Sequence, residues 1–201
     1  MRRAEFDVKD ENSINEVLEA CEYGTLSLIN NGKPYCIALN FVYFQGSIYF
    51  HGSNEGKKID TIKENPNGSF LVVQPYSTIP SYFFDTVAAC PATQFFASVL
   101  LEGILSFIEN GDEKAKVLNA LMKKLQKDGG YEEIAYDKAM YTKMLDKVTI
   151  IRLNPQNISC KIKVGQNLND EKRDKLTQKL ENRASNIDMH TIKQMKFYNK
   201  Q

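Results

Sequence analysis

Apolar and polar positions along the chain change period several times, and each change marks an element. Ile14, Val17, Leu18 and Cys21 recur at helical spacing behind the capping-box sequence Ser13-Ile14-Asn15-Glu16, which predicts a helix over Ser13–Cys21. Gly24 closes it, and Thr25–Ile29 reads as a strand. Asn30-Asn31-Gly32 turns into a second apolar run, Tyr35–Phe44. Gln45-Gly46 is a further turn signal, and Ser47–His51 completes a β-hairpin. Gly52 breaks the strand. Ser53 or Asn54 then supplies the N-cap of a helix over Glu55–Glu64, ended by Asn65-Pro66.

Gly68–Pro75 is a buried-type strand, and Tyr76–Cys90 a long irregular segment of the kind that often carries function. Its Tyr82, Phe83 and Phe84 can cover a ligand or pack on the protein's own core. Thr93–Phe107 reads as a long strand with two faces: Ser98, Leu100, Glu102 and Ile104 on one, Val99, Leu101, Gly103 and Leu105 on the other. Gly103 marks a bend or bulge. Glu102, among apolar neighbours, needs a partner or solvent. A helix begins at Gly111-Asp112 and carries the stripe Ala115, Leu118, Leu121, Met122 and Leu125. A short helix is read within Ile134–Leu145, and two closing strands at Val148–Leu153 and Ile158–Val164. From Asn167 the chain is highly charged and leans basic. It is helix-prone through about Leu180, with a second amphipathic piece on Ile187, Ile192, Met195 and Tyr198.

Strands with helices between them, without regular βαβ alternation, predict a mainly β, α+β architecture: an antiparallel barrel with peripheral helices. The expected organisation is a barrel domain over residues 1–165 and a charged helical extension over 166–201. The length of 201 residues suits one core with such an appendage. A formal net charge of +1 gives no large field to draw nucleic acid to the whole molecule. A basic amphipathic tail can bind a membrane or nucleic acid, but it more often docks on its own protein or a dimer partner, and neither nucleic acid nor membrane is an expected partner. No secretory signal is visible at the start, and Phe95–Leu101 is far too short to span a bilayer, so the expected location is cytoplasmic. Cys21, Cys36, Cys90 and Cys160 show no metal-knuckle spacing and read as free, mostly buried thiols. With only His51 and His190 available, no metal site is expected.

The chemistry concentrates after the hairpin. Lys57 and Lys58 fall in the first turn of the predicted helix, where free N–H groups and the macrodipole already make a positive end. Two cations there suggest a phosphate, although solvated lysines are the plain alternative and the P-loop spacing is absent.

The order of several short motifs adds to this reading. Y-G-T-L (Tyr23–Leu26) is followed by P-Y-x-x-x-L-N-F-V-Y (Pro34–Tyr43), I-Y-F-H-G-S (Ile48–Ser53), G-K-K-I (Gly56–Ile59), Asn65-Pro66 and S-V-L-L-E-G (Ser98–Gly103). Together these resemble the FMN-binding split-barrel family of pyridoxamine 5′-phosphate oxidase-related proteins, nearest to its 5-nitroimidazole reductase branch, over roughly Arg2–Val164. The resemblance implies a homodimer of six-stranded antiparallel split β-barrels with FMN between subunits. The flavin ring would lie along Tyr35, Cys36, Ile37, Ala38, Leu39 and Asn40. Phe50, His51 and Ser53 would contribute from the second strand and its turn. Lys57 and Lys58 would hold the phosphate, and Ser98 would face the ring. His51 would donate a proton to a reduced substrate, or else be a structural histidine bonded to the turn or phosphate.

The implied function is an FMN-dependent oxidoreductase passing electrons from a nicotinamide or similar small donor to a small acceptor such as a nitroaromatic or quinone. The alternative is a non-catalytic flavin or haem carrier or sensor on the same barrel, since some relatives bind or degrade haem. The sequence departs from pyridoxamine phosphate oxidases at Tyr35 and Asn40, which stand for their arginine and lysine, and at Ser98, which stands for their glutamine. It has no tryptophan to match their substrate-binding one. Phe96 stands where the nitroreductase-like branch often has tyrosine. These departures argue against pyridoxamine phosphate as the substrate.

Overall fold

The computed structural model describes residues 2–198; the first residue and the last three of the predicted extension lie outside the described residues. The strands are β1 (Asp7–Val8), β2 (Tyr23–Asn30), β3 (Lys33–Asn40), β4 (Val42–Phe44), β5 (Ser47–Gly52), β6 (Asn67–Ile79), β7 (Thr93–Ile108) and β8 (Thr149–Lys163). The helices are α1 (Glu11–Ala20), α2 (Lys57–Glu64), α3 (Gly111–Leu125), α4 (Ala139–Lys147), α5 (Asp170–Arg183) and α6 (Asn186–Tyr198). Hydrogen bonds link the strands in the order β3-β2-β6-β7-β8-β5-β4, with β1 on β8. The path ends at β3 and β4. The sheet thus has eight strands where six were expected. The predicted run Tyr35–Phe44 splits at Phe41 into β3 and β4, and two-residue β1 is too short to show in a pattern. The two predicted closing strands are, conversely, one continuous β8 running through Pro155.

Two compact units make up the chain. The larger comprises Ile14–Val72 and Val99–Ile158. There β2 and β3 form a full antiparallel hairpin, Tyr23 opposite Asn40 and Asn30 opposite Lys33, and β5 pairs with β8 from Ile48–Leu153 to Gly52–Thr149. Its core sets Phe41 edge-on to Phe70 (5.0 Å between centroids) and stacks Phe50 on Phe70 (6.1 Å). Val42, Tyr49, Ile108, Val117, Leu121 and Ile150 form a second cluster. The odd-numbered face of β7 is the buried one, including Val99, Leu101, Gly103 and Leu105. Gly103 is a place of close approach: a Cβ there would lie 2.0 Å from the Asn154 carbonyl oxygen. Glu102, for which the sequence required a partner or solvent, has both: it is exposed and accepts from Asn157 Nδ2 at 2.8 Å.

The smaller unit comprises Met1–Ser13, Val73–Ser98 and Ser159–Gln201. Its start differs from the predicted capping box. Asp10, not Ser13, opens α1, taking the Ser13 N–H at 2.8 Å, so the helix begins two residues early. β6 extends through Pro75 to Ile79, which shortens the irregular segment; Ser81–Phe84 then forms one 3-10 turn. The predicted tail is two helices, and α5 begins under an Asn169 cap. Leu176, Leu180, Ile192, Met195 and Tyr198 are buried, whereas Ile187 stays exposed.

A polar network ties the tail to β6. Fully buried Asp188 accepts from Ser77 Oγ at 2.6 Å, from Ser185 Oγ at 2.6 Å and from Arg183 Nε at 2.8 Å. Arg183 also donates to the Thr78 carbonyl at 3.1 Å. The tail therefore docks on its own unit. All four cysteines are free, but only Cys21 and Cys160 are buried; Cys36 and Cys90 lie exposed on a strand edge and a loop, against the expectation of mostly buried thiols. Among the described residues no helix is long and apolar enough to cross a membrane.

The Arg183 guanidinium, aided by the Ser185 and Ser77 donors and opposed by burial, holds the Asp188 carboxyl well below the usual carboxylate range. A depressed carboxyl adds stability above its unfolded value of about 3.9, and that stability drains as pH falls toward the folded value. Asp188→Ala is expected to cost about 3 kcal/mol at neutral pH, the lower end for a broken buried pair because Arg183 keeps a third of its side chain in water. Urea unfolding of both forms at neutral pH and below pH ~3 checks this. The gap between them should shrink in acid.

Candidate functional site

The site lies in the larger unit, where the hairpin β3 to β5 delivers the chain into α2. The helix starts at Lys57, two residues later than predicted, and its N-cap is Gly56. Gly56 has φ of +105°, a region costly for any other residue, and it supplies no side-chain cap. Ser53 Oγ instead accepts the Glu55 N–H at 3.3 Å and shapes the loop before the helix. The first intrahelical donors are Ile59 and Asp60, both to the Gly56 carbonyl (2.9 and 3.1 Å). The N–H groups of the first turn are thus left for something outside the helix.

Lys57 and Lys58 stand at this positive end, each against an aromatic ring. Lys57 Nζ lies 4.2 Å from the Tyr35 ring centroid, bringing the helix start to β3. Lys58 Nζ lies 5.6 Å from the Phe50 centroid, and a Cβ at Gly52 would come within 2.7 Å of it. The Lys58 ammonium therefore rests over the end of β5, beside His51. Burial lowers the Lys58 pKa. Burial, and then the Lys58 charge, lowers that of His51, although the imidazole stays accessible. Among the described residues the His51 ring makes no hydrogen bond, so both nitrogens are open.

The structure thus brings together Tyr35, Phe50, His51, Lys57 and Lys58. Along β3, Cys36 and Ala38 point to solvent while Tyr35, Ile37, Leu39 and Asn40 are half-buried. Cys36 Sγ sits 3.4 Å from Ser27 Oγ, and Asn40 Nδ2 donates to the Glu22 carbonyl at 3.3 Å. β3 is the last strand of the path, so its outer edge offers main-chain donors and acceptors. Ser98 belongs to the other unit, half-buried on the even-numbered face of β7.

Sequence reasoning missed Asn30 and Thr61. Thr61 Oγ1 donates to the Lys57 carbonyl at 2.7 Å and accepts from Asn30 Nδ2 at 2.8 Å, which pins the helix start to the end of β2. Asn30 reads as a turn residue, and nothing in its local pattern announces a bond 31 residues away. Among the described residues no group of three or more His, Cys, Asp or Glu side chains could hold a metal ion.

A family profile described as pyridoxamine 5′-phosphate oxidase matches residues 10–162, most of the chain and all of this site. The chain belongs to that family. No curated protein matches the sequence. Among solved structures, a candidate 5-nitroimidazole antibiotic resistance protein from Bacteroides thetaiotaomicron is 21% identical with a TM-score of 0.62, over 78% of this chain and 86% of that one. A flavocytochrome from Azotobacter vinelandii is 22% identical (TM-score 0.67, over 84% and 74%). An FAD- and haem-binding protein from Mycobacterium smegmatis is 16% identical (TM-score 0.65, over 78% and 72%). At such identities these likenesses show the shared fold.

His51 should titrate below the ordinary imidazole value of about 6.5. Its neighbour is a cation, so removing that charge favours imidazolium and raises the midpoint. Lys58→Ala, or saturation with inorganic phosphate, is therefore expected to shift the His51 midpoint upward in a proton NMR titration, which the chain's two histidines make simple to read. A midpoint unmoved by Lys58→Ala would mean that the two groups do not interact.

Proposed function

We propose that this family member binds FMN at the hairpin and α2 corner and works as a flavin-dependent oxidoreductase on small molecules. The observation that carries the reading is the ammonium pair of Lys57 and Lys58 at an uncapped helix start beside a free strand edge. Each part fits one part of a mononucleotide. A phosphate would neutralise both cations and take the open first-turn N–H groups. The outer edge of β3, from Tyr35 to Asn40, has main-chain donors and acceptors to match the alternating edge of an isoalloxazine. Phe50 and Ser53 flank the corner from β5 and its loop.

When bound, the flavin supplies reversible electron storage, so the chain needs no nucleophile of its own. Its residues bind and position. Tyr35 holds the Lys57 ammonium in place. Thr61 and Asn30 fix the helix start. His51, with unbonded nitrogens, is the group available to pass a proton to a reduced acceptor. Anion binding offsets the Lys58 charge and so makes that imidazole more basic, coupling cofactor occupancy to proton supply. The exposed site residues Cys36, Ala38, His51 and Lys57 fit a cleft completed by a second copy in a homodimer. A nicotinamide or similar donor and a nitroaromatic or quinone acceptor are the substrates proposed.

The purified protein is expected to be yellow and to release FMN on denaturation, as identified by chromatography. Lys57→Ala combined with Lys58→Ala should weaken FMN binding about tenfold or more, since each hydrogen bond from a charged donor contributes about 1.5–3 kcal/mol. Unchanged affinity in the double variant would remove the phosphate assignment. Bound FMN without donor-to-acceptor turnover would make the protein a carrier.

A further inference from the structure

The smaller unit holds a cavity of about 600 Å³ that shares no residue with the flavin corner. Its volume falls in the range of small-molecule sites. One part of its wall is aromatic: Phe83 and Phe84 from the 3-10 turn after β6, and Phe95 from β7. Phe95 lies on the buried odd-numbered face of β7, opposite to Ser98, so the cavity opens on the other side of that strand from the residue expected to face a flavin.

Another part of the wall carries cations among neutral residues. Arg3, Lys163, Lys172 and Lys175 line it, with Asp85 and Glu171 as the acidic residues. Both carboxylates are already engaged: Asp85 by Lys179, and Glu171 by Lys175 at 2.9 Å. Lys163 donates to Thr93 Oγ1, and among the described residues it has no carboxylate partner. An adjoining recess of about 270 Å³ shares Arg3 and Lys163 and adds Arg2 and Lys161, with no acid in its lining. Burial, and then the charges of Lys161 and Arg3, lower the Lys163 pKa, as expected of a cation among cations. Buried Arg173 donates to the carbonyls of Gly165, Gln166 and Leu168 at 3.2–3.3 Å and so fixes the loop that forms one side of the cavity.

We propose that this cavity binds a small aromatic anion, its carboxylate, sulfonate or phosphate drawn to Lys163, Arg3 and Lys172 and its ring set against Phe83, Phe84 and Phe95. A single-stranded nucleic acid would also favour cations and aromatic rings, but it needs an open groove that tracks a backbone. Here the aromatic rings belong to a recess about the size of one small molecule.

The test is calorimetric titration of the full-length protein with anilinonaphthalene sulfonate, an aromatic anion of suitable size, with and without saturating FMN. The expected result is one saturable site per chain, indifferent to FMN, from which benzoate displaces the probe and neutral benzamide does not. Lys172→Glu, at an exposed position that leaves the core intact, should weaken the probe about tenfold or more, and Lys163→Gln likewise, as removal of a charged donor predicts. FMN affinity should not change in either variant. Overturning results are the absence of a saturable site, equal displacement by benzamide, binding insensitive to Lys172→Glu, or tighter competition from oligothymidylate than from benzoate. Competition by FMN for the site would also overturn the proposal by assigning the cavity to the flavin. Lys57→Ala with Lys58→Ala separates the two readings. It should spare the probe, and if it spares FMN as well, the flavin corner fails while the cavity stands.

Discussion

Two ammonium groups sit where a helix least favours them. A cation in the first turn of a helix opposes the macrodipole, at a cost of typically about 0.3–1 kcal/mol each. The protein offsets this with ring faces: Tyr35 under Lys57 and Phe50 under Lys58. Cation–π contacts of this kind contribute about 0.5–1 kcal/mol at exposed sites. The two effects are similar in size, so the free protein holds both charges in place at little net gain. Among the described residues no carboxylate pairs with either lysine, so the arrangement suits an external anion. Glu55, the nearest acid in sequence before the helix, uses its backbone to bond Ser53 and has no ion pair with either lysine.

The rest of the larger unit serves to hold that pair still. Phe50 stacks on Phe70, which meets Phe41 edge-on, so the ring beneath Lys58 is part of the core. Tyr35 is set by the register of β3 on β2, where it lies opposite Leu28. Thr61 and Asn30 bind the first turn of α2 to the end of β2, the strand to which β3 is fixed along its whole length. Rigid strands and a bonded helix start are a better mount for a charged site than a loop, because a displacement of a fraction of an ångström already weakens a charge-assisted hydrogen bond. Gly56 completes the mount by making the tight entry that leaves the first N–H groups uncapped.

Much of this was legible in the sequence because it is local. The hairpin follows from period and turn signals, and so does the long β7, whose buried face proved to be the odd-numbered one. The lysine pair was visible once a helix was placed after Gly52. The N-cap was not: Ser53 and Asn54 are better caps by composition than Gly56, yet the sharp positive-φ turn at Gly56 decides where the helix begins. Pro155 suggested a break between two strands, but proline's fixed φ is compatible with extended backbone and costs the ladder one donor, so β8 continues through it. Thr61 and Asn30 were invisible because their bond spans distant positions. The strand count depended on buried Phe41, where one apolar run divides into β3, paired with β2, and β4, paired with β5, without a change in the apolar pattern.

The tail shows what a basic composition leaves open. Its charge allows an anionic partner or docking on the protein itself, and three of its cations are spent within the smaller unit. Arg173 closes three carbonyls of the loop before α5. Lys179 reaches Asp85 and the Tyr82 carbonyl. Arg183 holds buried Asp188 and the Thr78 carbonyl. The first bond is internal to the start of the tail, and the other two join the tail to β6 and the turn after it. Of the cations left over, Lys172, from the first turn of α5, lines one recess beside Phe83 and Phe95 together with Lys163 from the end of β8, while Lys193 and Lys196 lie exposed on α6. Docking the tail thus satisfies some charges, sets others at the rim of an apolar pocket and leaves the rest in solvent. A charge tally of the sequence cannot tell these outcomes apart, because the difference lies in which carbonyls and carboxylates the fold brings within reach.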